Sequence, residues 1–179
     1  MATGLNDATE VDVVVDLEAV FRAHYGRLVR ALTLVAGSSD LAADAVQEAF
    51  IKAHLHWRRV QQYDDPAGWI RRVAINKLRD EHRWVGRKRR VVERIVAMTP
   101  PPTSLDPAVT AAGHDADLTA QLLQSLPRQQ RLAMALFYVD ELSVAEVAAA
   151  MSISEGAVKF HLHQGRQRLR AAVESGETA

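Results

Sequence analysis

The stretch from Ile95 to Pro127 contains no Lys or Arg, and its middle, MTPPPTSLDPAVTAAGHDAD, collects Pro, Thr, Asp and Ala without a sustained apolar period. That composition reads as a linker. It constrains the fold strongly, because on either side of it apolar residues recur every three or four positions and sustained strand-like alternation is absent. The expectation is an all-α protein of two small helical domains joined by a flexible linker. Residues 17–94 and 125–174 are the expected domains and 95–124 the linker, with an acidic, flexible N-terminus over 1–16 and a flexible tail over 175–179. At 179 residues and 48% hydrophobic content the chain is long enough for two packed cores.

In the first block Leu17, Phe21, His24, Leu28, Leu32 and Val35 step along one helix face, and Gly37-Ser38-Ser39 ends the helix. Asp40 is the expected cap of a second helix whose inner face is Leu41, Ala45, Val46, Phe50, Ala53 and Trp57. A third is predicted to start at Asp65-Pro66, a capping acid before a proline at the first helical position, with Trp69, Ile70, Val73, Ala74 and Leu78 turned inward. That leaves Arg72, Asn76, Arg79 and Arg83 as an outward stripe.

Charge is divided unevenly along a chain whose formal net charge is zero. Asp7, Glu10, Asp12, Asp16 and Glu18 precede Ala19 with no basic residue among them, whereas Trp69 to Arg94 holds ten basic residues against three acids. A solvated helix surface is the ordinary explanation for such a stripe. Here few acids alternate with the bases, the stripe runs on into GRKRR, and Trp84, Asn76, Tyr63 and Gln62 interleave aromatic and amide groups that can stack on or hydrogen-bond to unpaired bases. Nucleic acid is the better reading.

The second block, SLPRQQRLAMALFYVDELSVAEVAAAMSISEGAVKFHLHQGRQRLRAAV, carries three start signals: Ser125 with Pro127, Ser143 with Glu146 at capping-box spacing, and Ser154. Only Met151, Ser152 and Ile153 separate the last two helices, which is the helix-turn-helix layout with the final helix entering the major groove. Val158, Leu162, Gly165 and Leu169 face inward, and Lys159, His163, Arg166 and Arg170 form a basic stripe. Glu155, Gly156, Lys159, Phe160 and His163 are the candidate base-edge or phosphate contacts.

With these motifs in place, the chain resembles the extracytoplasmic-function (ECF) sigma factors of bacterial RNA polymerase. FRAHYGRLVRALTLVAG looks like region 2.1, and DLAADAVQEAFIKAHLHW like region 2.2, with a D-x-x-Q-E-x-F core at Asp44, Gln47, Glu48 and Phe50. PAGWIRRVAINKLRDEHR is similar to regions 2.3 and 2.4 through Trp69, Arg72, Ala74, Asn76, Asp80 and Arg83, and the second block looks like region 4. The resemblance implies a transcription initiation factor rather than an enzyme. It implies docking of Asp44, Gln47, Glu48 and Lys52 on the clamp helices of the polymerase β′ subunit, and minus-ten recognition and melting by Arg72, Asn76, Arg79, Arg83, Gln62 and Tyr63. Region 4 would bind the β flap and read the minus-thirty-five element through Glu155, Gly156, Lys159, Phe160, His163 and Arg166. The implied partners are core RNA polymerase, promoter DNA and an anti-sigma factor. Phe160 and His161 depart from the small polar and basic residues more usual in the family, so no base preference is carried over.

The second block alone also resembles the DNA-binding domain of response-regulator-type activators. The first block decides against that alternative, since a receiver domain would alternate strands with helices. No glycine-rich phosphate loop, H-E-x-x-H motif or triad suggests catalysis or a cofactor. His54 with His56, and His161 with His163, are two apart on helices and are poorly placed to share a metal. Without cysteine, a signal-like N-terminus or a long apolar run, the chain is expected in the cytoplasm with no insertion into a membrane.

Overall fold

The computed structural model describes residues 16–80 and 120–176, and within them every regular element is a helix. Helix α1 is Leu17–Ala36. The Asp16 carboxylate accepts from the Glu18 N–H at its start, and Gly37, at φ 72°, turns the chain out of its end, its N–H donating to the Thr33 carbonyl at 2.8 Å. A left-handed residue there suits glycine, which has no Cβ to clash. Leu28, Leu32 and Val35 are buried as expected and are joined by Val20 and Ala31. Phe21, expected inward, is 41% exposed. It instead stacks on Tyr25, with ring centroids 4.5 Å apart, and meets Phe50 edge-on at 5.0 Å.

Helix α2, Ser39–Leu55, is capped by Ser38 rather than Asp40: the Ser38 hydroxyl accepts from the Leu41 N–H, and Asp40 falls in the first turn, where its charge complements the helix dipole. The inner face is richer than expected, with Ala42 and Ala49 buried beside Ala45, Val46, Phe50 and Ala53. A short helix α3, Trp57–Val60, leads to α4, which runs over 66–80 and on to the edge of the described residues. Pro66 opens α4, and Asp65 caps it by accepting the Gly68 N–H at 2.8 Å. Ile70, Ala74 and Leu78 are buried, as is Ile75, whereas Trp69 and Val73 are only partly covered.

In the second half a short helix α5 covers 120–124, inside the segment assigned to the linker from sequence. Then come α6, Arg128–Tyr138, α7, Val144–Met151, and α8, Glu155–Gly176. Pro127 occupies the cap position of α6, while the Ser125 hydroxyl turns back to donate to the Leu122 carbonyl at 2.6 Å.

The two halves are in contact. A single apolar core runs from Leu28, Leu32 and Leu78 in the first to Leu136, Val147 and Leu162 in the second, with α1 packed against both α2 and α6. Polar links cross the seam. Arg71 Nε donates to Asp140 Oδ2 at 2.9 Å, and both side chains are almost fully buried. Arg27 pairs with Glu141 at 2.8 Å, Gln124 donates to the Leu34 carbonyl at 2.7 Å, and Arg131 donates to the Val35 carbonyl at 3.1 Å. Arg131 also bonds the Gln124 side-chain oxygen and the Leu126 carbonyl. The last turn of α1 has no basic residue of its own, so Arg131 of α6 faces its negative end.

Candidate nucleic-acid interface

The strongest candidate surface lies on α8, and the local chemistry of the turn before it explains how it is presented. Ser143 and Glu146 form a full capping box: the Ser143 hydroxyl accepts from the Glu146 N–H at 3.2 Å, and the Glu146 carboxylate accepts from the Ser143 N–H at 2.8 Å. Those hydrogen bonds to Ser143 hold the Glu146 carboxyl below its ordinary range. Helix α7 ends at Ser152, which takes the left-handed conformation at φ 58°, and after Ile153 the Ser154 hydroxyl caps α8 by accepting the Ala157 N–H at 3.2 Å.

The direction of α8 is then set by packing. Val158, Leu162 and Gly165 are buried, and a Cβ on Gly165 would lie 2.9 Å from Met134 Cγ, so glycine lets α8 approach α6 closely. On the opposite face Glu155, Gly156, Lys159, Phe160, His163 and Arg166 are all exposed. Phe160 shows 58% of its surface, a large apolar ring set between the polar side chains of Lys159 and His163. The Lys159 ammonium lies 3.9 Å from the Glu155 carboxylate, one turn back.

The stripe on α4 is only partly as expected. Arg72 and Asn76 are exposed, but Arg79 is half-buried and donates to the Asn76 side-chain oxygen at 3.5 Å and to the Met151 carbonyl, at the end of α7, at 3.4 Å. Arg83 lies outside the described residues. Ahead of the helix, Gln62 is exposed, and the half-buried Tyr63 ring lies 6.4 Å from that of Trp69. Trp69 is therefore partly covered: it packs against the core, as its inward position predicts, and its ring also lines this loop.

On α2, Asp44, Gln47 and Lys52 are exposed. Glu48 is half-buried, pairing with Lys52 at 2.8 Å and with Lys77 of α4 at 2.6 Å, and its carboxyl is held below the usual range by these bonds. Glu48 thus ties α2 to α4. Gln47 reaches the Tyr25 hydroxyl at 3.5 Å. Two residues of this surface were passed over in the sequence: Ile51 and Leu55 are 59% and 70% exposed and follow Gln47 at successive spacings of four. Their spacing on the polar face was the available signal. Arg71, counted in the sequence only as part of the basic run, is 4% exposed and bonds both Asp140 and His24, the latter at 3.0 Å. No local signal announces it, because its carboxylate partner is 69 positions away.

Residues 20–89 match the family model "Sigma-70 region 2", and residues 117–169 match "Sigma-70, region 4". The chain belongs to the ECF group of sigma-70 factors. It is 31% identical over 159 residues to the ECF RNA polymerase sigma factor SigL of Mycobacterium tuberculosis, covering 88% of this chain and 89% of that one. It is 26% identical over 165 residues to SigM of Bacillus subtilis, covering 89% and 96%. Similarity to SigE of Mycolicibacterium smegmatis reaches 33% over 174 residues and 90% of this chain, which spans only 64% of that longer relative. In fold it resembles the sigma factor RpoE of Bartonella quintana, solved in complex with the anti-sigma factor NepR, with a TM-score of 0.67 at 20% identity over 88% of this chain and 95% of that one. CnrH, solved with the cytosolic domain of CnrY, gives a TM-score of 0.61 at 21% identity over 89% and 88%.

In this sigma factor the region 2 match falls on the half that a response regulator would give to a receiver, and no strand occurs among the described residues. The activator alternative is thereby set aside. The region 4 match begins ahead of residue 125, in keeping with the helix at 120–124.

Proposed function

We propose that this ECF sigma factor binds core RNA polymerase in the cytoplasm and carries it to promoters with its work divided between the halves. The observation that carries the reading is the presentation of α8: a capped, tightly turned helix whose buried face is closed by Gly165 while Glu155, Lys159, Phe160, His163 and Arg166 stand in solvent. That face would read the minus-thirty-five element in the major groove. Arg72, Asn76 and Arg79, with Arg83, Gln62 and Tyr63, would engage the minus-ten element, the guanidinium groups holding the backbone while amide and aromatic groups take bases as they unstack.

The α2 surface would meet the β′ clamp helices, and the β flap would take the region 4 half. Asp44, Gln47 and Lys52 would provide polar contacts around an apolar stripe of Ile51 and Leu55. Such a stripe with a polar rim is the usual anatomy of a protein interface. The RpoE structure in complex with the anti-sigma factor NepR supports an inhibitor of the same kind as a further partner.

Reconstituting the chain with core polymerase on a library of promoter sequences and mapping transcript starts tests this reading. Starts should share two upstream elements, and starts with no common upstream sequence would overturn it. The Asn76→Ala variant should retain its fold and polymerase binding yet lose permanganate-reactive thymines in the open complex. If it melts promoters as wild type does, the α4 stripe only cradles phosphates.

A further inference from the structure

Exposure alone says little about Phe160, since single apolar side chains are ordinary on protein surfaces. Its position says more. Phe160 lies two positions after the buried Val158 and two before the buried Leu162, so at about 3.6 residues per turn it points almost directly away from the core. It is also in the first two turns of α8, the part of a groove-seated helix that reaches base edges. Lys159 and His163 stand beside it in solvent, with Arg166 and Arg170 further along.

The ring is open on its leading side. Helical side chains lean toward the N-terminus, and one turn in that direction stands Gly156, where a Cβ would come no nearer than 3.9 Å to the Ser154 hydroxyl oxygen. The fold does not need that position empty, and the missing side chain leaves the flank of Phe160 uncovered. On the helix itself the ring meets that of His161 edge-on, with centroids 5.8 Å apart.

What can lie against such a ring follows from what duplex DNA displays. Bases in a duplex are stacked, so an aromatic side chain in the major groove meets their edges rather than their faces. Those edges are hydrogen-bond donors and acceptors, with the C5 methyl of thymine as the apolar exception. A phenyl ring neither donates nor accepts, so against any other edge group it would displace water and return no hydrogen bond.

We propose that Phe160 is a specificity-determining residue that packs on the C5 methyl of one thymine in the upstream promoter element, while the cationic side chains around it hold the helix in the groove. The inference rests on the sigma reading given above. A protein partner suits the ring less well, because the core of a protein interface gathers several apolar groups, whereas the outer face around Phe160 consists of Gly156, Lys159, His163 and Gln167.

Deoxyuridine differs from thymidine only by that methyl group and keeps every hydrogen bond, so it isolates the contact. Core polymerase carrying the wild-type chain would be bound to promoter duplexes bearing the upstream element common to the mapped transcript starts, with each thymine of the element replaced in turn. Replacement of one particular thymine should weaken binding about fourfold, the size expected for burying one methyl group. Phe160→Ala, which empties no part of the core, should weaken binding to the unmodified element by at least about as much and should no longer distinguish thymine from deoxyuridine at that position.

The assignment is overturned if the wild-type complex is indifferent to every replacement, or if Phe160→Ala keeps the full sensitivity. It is overturned equally if Phe160→Ala weakens binding to core polymerase in the absence of DNA, which would give the ring to a protein partner. Transcript starts with no common upstream element would instead overturn the sigma reading itself.

Discussion

Lys159 and His163 stand one turn apart on the exposed face of α8, and each could meet either a base edge or a phosphate. The alternatives differ in outcome. If these side chains meet base edges, Lys159→Ala or His163→Ala should cost about 1 to 3 kcal/mol on the preferred upstream element and relax preference there. If they meet phosphates, the same substitutions should weaken binding to all sequences alike and lower the salt slope. Competition binding on matched and substituted elements at two salt concentrations separates them. Gly165 makes a prediction of a different kind. A methyl group there would press on Met134 Cγ and Sδ, so Gly165→Ala should destabilise the second half by about 1 to 3 kcal/mol in thermal unfolding, the usual cost of overpacking. A neutral or stabilising result would mean that Met134 yields without strain.

Helix ends carry most of the element-scale chemistry. Removing the α7 cap with Ser143→Ala should cost about 0.5 to 2 kcal/mol by chemical denaturation, because the hydroxyl that accepts the Glu146 N–H goes with it. On α1, His24 is held below its ordinary value near 6.5 by burial first and then by the charges of Arg71 and Arg27, with Asp65 and Glu146 opposing. The fold favours neutral His24, so its contribution to stability is fully present above about pH 6.5 and is lost as pH falls through the lowered value. Asp140, raised mainly by burial with Arg71 opposing, has the reverse trend: its contribution is present below the ordinary carboxylate range and is lost as pH rises through the raised value. For the His24 part, stability should drop between pH 7.5 and 5.5, and His24→Gln should remove that part of the drop, as read from urea midpoints at the two values. An equal drop in the variant would assign it to other groups.

Most helices were legible in the sequence because their signals are local: the Asp65-Pro66 start, the Ser143 and Glu146 box, and the Leu28, Leu32, Val35 face. The misplaced cap at Asp40 shows how close rival local signals lie, since Ser38 two residues earlier offers the same chemistry. Arg71, Arg131 and Gln124 were not legible as seam residues, because their roles depend on atoms 69 to 96 positions away.

For the whole molecule, reach is the limiting quantity. The stretch from Ala97 to Leu118 spans about 70 Å when fully extended, close to the separation two promoter elements demand. Deleting roughly ten of these residues should abolish initiation in a reconstituted transcription assay while each half still binds polymerase. Undiminished transcription from the shortened chain would mean the halves do not bridge the two elements as proposed.

The seam also imposes an order on synthesis. Asp140 follows Arg71 by 69 positions, so at bacterial translation rates the first half waits about 3 to 14 s on the ribosome before its counter-charge exists. During that interval the Leu34 and Val35 carbonyls at the end of α1 are left to water, and Arg71 lacks the carboxylate that later buries it. In the nascent chain the first half is thus complete before its counterpart across the seam exists. A message truncated inside the linker would release a first half whose Arg71 never meets Asp140.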